Sequence, residues 1–139
     1  MNTEKQEYLL LFRSSRNWQA ELSIEELQQE MSKIKAWFDE LGAKGIIKAA
    51  QPLRDEGYIL SSKGGQIVSD GPFAESKEAI GGYMLFEAES IDDAVKIAKK
   101  CPALAFGDRV EVRPVADQCP NMTLALERLG VKDLSCVEA

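Results

Sequence analysis

Asp70-Gly71-Pro72-Phe73-Ala74-Glu75-Ser76-Lys77-Glu78-Ala79-Ile80-Gly81-Gly82-Tyr83 joins two strand-like runs, and how it is read decides how the chain assembles a sheet. Pro72 holds its φ at about −65° and has no N–H to donate. It also biases Gly71 away from helical geometry. The short carboxylate of Asp70 suits backbone N–H groups two or three residues on, which predicts a brief helical turn over residues 72–78 capped by Asp70. Phe73 is the large apolar residue of that turn and its natural anchor. Gly81-Gly82 is expected to end the turn and to let the backbone pass close to another segment. The ordinary reading is a rigid connection with a solvated Glu/Lys face. The functional reading makes Asp70 an acid–base group and Phe73 a ligand contact.

Working outward, residues 58–61 and 66–69 flank Lys63-Gly64-Gly65 as a hairpin that delivers the chain to Asp70. Downstream, residues 83–88 read as a strand. Period two puts Met84, Phe86 and Ala88 on one face and Tyr83, Leu85 and Glu87 on the other, where Glu87 beside Tyr83 suits a partly polar cavity wall. Residues 7–13 form a buried strand around Tyr8-Leu9-Leu10-Leu11-Phe12. Residues 46–50 form a short strand that Pro52 interrupts, and residues 110–115 a last strand in which Pro114 marks an edge or an end. The clearest helix covers residues 23–41. Ser23 and Glu26 make a capping box, and Ile24, Leu27, Met31, Ile34, Trp37, Phe38 and Leu41 make an apolar stripe read as core; Gly42 or Gly45 stops it. Ser90 caps a second helix with Asp92 and Asp93 in its first turn, Lys96, Lys99 and Lys100 near its end, and a buried side from Ile91, Ala94, Val95, Ile97 and Ala98.

This order predicts an α+β fold, a ferredoxin-like split βαβ antiparallel sheet with both helices on one face. The opposite face then needs cover, and a homodimer packed sheet to sheet is the simplest source. Residues 1–120 are expected to form the domain. Residues 121–139, with a helix at 121–129 carrying Met122, Ala125, Leu126 and Leu129, are expected to be a tail packed on the domain or on a partner subunit.

Composition narrows the function. The 139 residues contain no histidine, which removes the imidazole base, the Ser/His and Cys/His nucleophile pairs and most zinc sites. Acid–base chemistry is left to carboxylates, Lys, Tyr or Cys. The three cysteines, Cys101, Cys119 and Cys136, are widely spaced and read as reduced thiols of a cytoplasmic protein. A formal charge of −6 without a basic stripe argues against nucleic acid. No run approaches the roughly 20 apolar residues of a membrane span. No cofactor is expected. A carboxylate metal site at Asp55, Glu56, Asp92 and Asp93 is disfavoured, because turns and helix starts give acids ordinary reasons to be there.

At Asp70-Gly71-Pro72-Phe73 the chain resembles the branch of the YCII-related family named for its DGPF signature. Leu10-Leu11-Phe12-Arg13, the run from Asp70 to Glu78, Gly81-Gly82-Tyr83 and Val110-Glu111-Val112-Arg113-Pro114-Val115 resemble that branch in the same order. The resemblance implies a dimeric α+β barrel with a cavity near the sheet and the dimer contact, and small-molecule chemistry. The His/Asp pair proposed for much of the family cannot exist here, and Asp70 matches the signature aspartate instead. Some modules of this branch accompany alternative sigma factors, which implies a non-catalytic regulatory role as the alternative.

Two functional pictures follow. In one, Arg13, Asp70, Tyr83, Glu87 and Arg113 converge on a small polar or anionic metabolite, with Arg13 and Arg113 gripping a carboxylate and Asp70 or Glu87 acting as base. Trp18 is either a lid over the core or a wall of that pocket. In the other, Glu87 and Arg113 merely pair across strands, and the protein is a binding or regulatory module.

Overall fold

The computed structural model describes residues 5–14, 17–70 and 79–137. Among the described residues, six strands and three α-helices run in the order β1 (Gln6–Ser14), α1 (Ile24–Ala43), β2 (Ile47–Pro52), β3 (Ile59–Lys63), β4 (Gln66–Asp70), β5 (Ala79–Ala88), α2 (Ile91–Lys99), β6 (Arg109–Pro114) and α3 (Pro120–Leu129). Strands β2, β5, β1 and β6 form one antiparallel sheet in that spatial order. β5 thus lies between β1 and β2, which α1 connects, and this is the split βαβ connectivity. Prolines 52 and 114 fall on the two edge strands, where a missing N–H costs no ladder bond.

The sheet has two unlike faces. Tyr8, Leu10, Met84, Phe86 and Ala88 are buried with Trp37 and Leu41 of α1 and Ala94 and Ala98 of α2. Phe12, Val110 and Val112 pack on the same cluster. The Trp37 indole donates to the Ile97 carbonyl at 3.2 Å and ties the two helices together. The alternate residues Leu9, Leu11, Tyr83 and Leu85 face the other way and are only half-buried.

Both helix starts follow from local chemistry. Ser23 and Glu26 form the full capping box, each side chain accepting the other's backbone N–H at 3.1 Å. Ser90 accepts from the Asp93 N–H at 3.1 Å. α1 runs through Gly42, and its stop is Gly45, just past the Lys44 cap and in the left-handed region at φ +69°.

Several expectations need correction. Gly81 and Gly82 lie inside β5 rather than ending a turn. The close approach expected of them is real at Gly82, where a Cβ would stand 2.9 Å from the Gln51 carbonyl oxygen of β2. The hairpin forms around Gly64-Gly65, both at positive φ, but β3 and β4 make a sheet of their own, hydrogen-bonded to no other strand among the described residues. Ile24 and Met31 of the α1 stripe are exposed, as are Ile91, Ala125 and Leu129, so these residues do not enter the core. In α3 it is Leu126 that is buried. The helical turn expected over residues 72–78, with Phe73, lies outside the described residues.

Candidate functional site

One end of the sheet holds a cavity. β1 ends there with Phe12, Arg13 and Ser14, and a 3-10 turn over Trp18–Glu21 folds back across them. α1 brings Met31, Ile34 and Phe38, its half-buried or exposed apolar residues. β2 contributes Ala50 to Pro52, and β5 contributes Gly81, Gly82 and Tyr83. Cys101 and Ala103, with Asp108 to Val110 at the start of β6, line another side. The space, open on one side to solvent, is about 540 Å³, a volume typical of small-molecule sites.

The walls are mostly apolar, and three of the polar groups form a hydrogen-bonded cluster. Trp18 is 1% exposed and stacks flat on Phe106, with ring centroids 4.3 Å apart and planes 8° from parallel. Its indole N–H donates to Asp108 Oδ2 at 2.8 Å. The Ser14 hydroxyl donates to Asp108 Oδ1 at 2.7 Å. Asp108 therefore pins the 3-10 turn and the end of β1 to the start of β6. Burial pushes the Cys101 thiol up from the ordinary thiol value, and the nearby Asp108 carboxylate pushes the same way. Cys101 is thus a neutral wall group at neutral pH rather than a nucleophile.

Of the residues expected to bind a ligand, Arg13, Trp18 and Tyr83 line this cavity together. Trp18 is buried and lines the cavity. Glu87 and Arg113 lie outside the lining. Glu87 pairs with Lys48 at 3.3 Å, and the largely exposed Arg113 stands 4.0 Å from Glu111. The expected Glu87–Arg113 pair is not formed, because β1 runs between β5 and β6. Nor do Arg13 and Arg113 make a fork: Arg13 sits opposite Arg109, and Arg113 opposite Leu9. Asp70 is the last residue of β4, its side chain and Phe73 being outside the described part. Asp92 and Asp93 occupy the first turn of α2, and Glu56 pairs with Arg54.

Sequence reasoning missed Asp108 and the cavity-facing half of α1. The available signal for Asp108 was indirect: a buried tryptophan N–H needs an acceptor, and Gly107-Asp108 stands at the entrance of a strand.

A split βαβ sheet with a small-molecule-sized cavity at one end is the class of protein this geometry defines. The chain belongs to the YCII-related family, whose domain model matches residues 7–118. It is also similar to an uncharacterized protein of Rhizobium meliloti (strain 1021), 32% identical over 93 residues that cover 66% of this chain and 75% of that protein.

Proposed function

We propose that this chain binds a small organic molecule in the cavity between β1, β5, β6 and α1. The observation that carries this reading is the 540 Å³ space itself, whose aromatic and aliphatic walls include the hydrogen-bonded polar cluster of Ser14, Trp18 and Asp108. The reading is tested by screening fragments with two-dimensional proton–nitrogen NMR and following the Trp18 indole N–H. Binding should move that resonance. The Met31→Glu variant, which sets a charge in the apolar wall at a position already 46% exposed, should abolish the shift without unfolding the protein. Fragments that shift only residues remote from Trp18 would refute the site.

A second copy of the chain is the proposed cover for the other sheet face. Leu9, Leu11 and Leu85 there are half-buried, against 0% exposure for Leu10 and Met84 on the helix side. Apolar surface of that kind favours association.

A further inference from the structure

We infer that the ligand of this cavity is an apolar body carrying a hydrogen-bond donor, a hydroxyl or an ammonium, and that Asp108 receives the donor. The inference rests on the cavity being a small-molecule site and adds the chemistry of its occupant.

Among the described residues, the charged ones bordering the cavity are Arg13, Asp108 and Arg109. Strand alternation separates them. Phe12 packs on Trp37 and Phe38 in the core layer, so its neighbour Arg13 turns to the opposite face, where its guanidinium meets Glu111 at 2.8 Å. Val110 packs on the same core, so Arg109 turns away with Arg13, its register partner. The two arginines also line a separate hollow with Val110 and Glu111. Both also line the cavity.

Asp108 is placed differently. It is bonded to Trp18, which is 1% exposed, and to Ser14, which shares the helix-side face with Phe12. Among the described residues, the carboxylate is therefore the charged lining group held on the helix-side face. Each of its oxygens has two lone-pair sites. Ser14 takes one on Oδ1 and Trp18 one on Oδ2, so the group is held in one orientation while retaining acceptor capacity for a ligand. A pre-oriented acceptor gains affinity because little order is lost on binding. A ligand carboxylate placed against Asp108 would meet a like charge. This reverses the expectation of an anionic ligand.

Three probes of nearly equal body decide the matter: phenethylamine, phenethyl alcohol and phenylacetate. Each is titrated into the intact protein while the Trp18 indole N–H and the Asp108 and Gly82 amides are followed by NMR. The amine and the alcohol should bind about tenfold more tightly than the acid. Asp108→Asn should weaken the amine about tenfold and the alcohol less. If that variant does not fold, the wild-type order alone decides. Phenylacetate binding as tightly as the amine, or more tightly, overturns the donor assignment and leaves the cavity standing as an anion site. No shift at Trp18 from these probes or from any fragment sinks the binding site itself.

Discussion

At the scale of single residues, neighbouring glycines have opposite roles. A Cβ on Gly82 would lie 2.9 Å from the Gln51 carbonyl oxygen and 3.2 Å from the Pro52 Cα, both backbone atoms that cannot move without shifting β2. A Cβ on Gly81 meets nothing within 4 Å. Gly82→Ala should therefore cost about 1–3 kcal/mol, and Gly81→Ala should lie within about 1 kcal/mol of wild type, both read from urea midpoints. Trp18→Phe keeps a ring over Phe106 but strips a donor from Asp108, for an expected loss of about 1–2 kcal/mol. Cys101 adds a pH dependence. Its thiol holds its proton more tightly folded than unfolded, so folding is disfavoured where only the unfolded chain ionises. The contribution is intact below the ordinary thiol value of 9.0 and is lost as pH rises beyond it toward the raised folded value. Cys101→Ala should flatten the alkaline limb of a stability–pH curve. In the folded wild type, iodoacetamide should label exposed Cys119 and Cys136 well before buried Cys101.

At the scale of elements, the helix starts and the hairpin were legible because their causes are local. A serine three residues before an acid, or two glycines between alternating runs, carries its own geometry. Ser23→Ala should cost about 1 kcal/mol. The box is also acid-sensitive: the Ser23 backbone N–H, with its hydroxyl, holds the Glu26 carboxyl below its ordinary value. That help is present above pH 4.5 and disappears as Glu26 is protonated below it, so the wild type should lose its advantage over Ser23→Ala in acid. What the sequence hid is tertiary. The α1 stripe has one period, yet Trp37 and Leu41 are buried while Met31, Ile34 and Phe38 border the cavity. Periodicity marks which side of a helix is apolar and is silent on whether protein or empty space lies opposite. Asp108 was illegible for the same reason, since its partners Ser14 and Trp18 lie more than 80 residues upstream, at sequence separations of 94 and 90. Glu87 and Arg113 share a face as period two requires, but pairing also needs adjacent strands, and strand order is not written in any one segment.

At the scale of the whole molecule, the two faces of the sheet pose the remaining question. A stable homodimer buries about 800 Å² on each partner, and the half-buried leucines of the outer face supply apolar surface at its centre. Net charge opposes association, since two copies each carrying −6 repel. The face itself is better balanced, because Arg13 pairs with Glu111 and Lys48 with Glu87 within one chain. Apposing two such faces brings together apolar centres and internally neutralised rims, while the repulsion is spread over the rest of the surface. Salt should therefore tighten the dimer by screening the net charge, the reverse of an interface held by ion pairs between subunits. Sedimentation equilibrium at micromolar concentration should give twice the 15.4 kDa of one chain, and the dissociation constant should fall as salt rises. Leu85 sits between Leu9 and Ala49 at the middle of the face. Leu85→Glu should leave a folded single subunit, since an unpaired charge would be buried at the centre of the contact, whereas Lys33→Glu on exposed α1 should leave the dimer intact. A wild type that sediments as one folded chain, or a dimer that salt dissociates, would show that this face is covered in some other way.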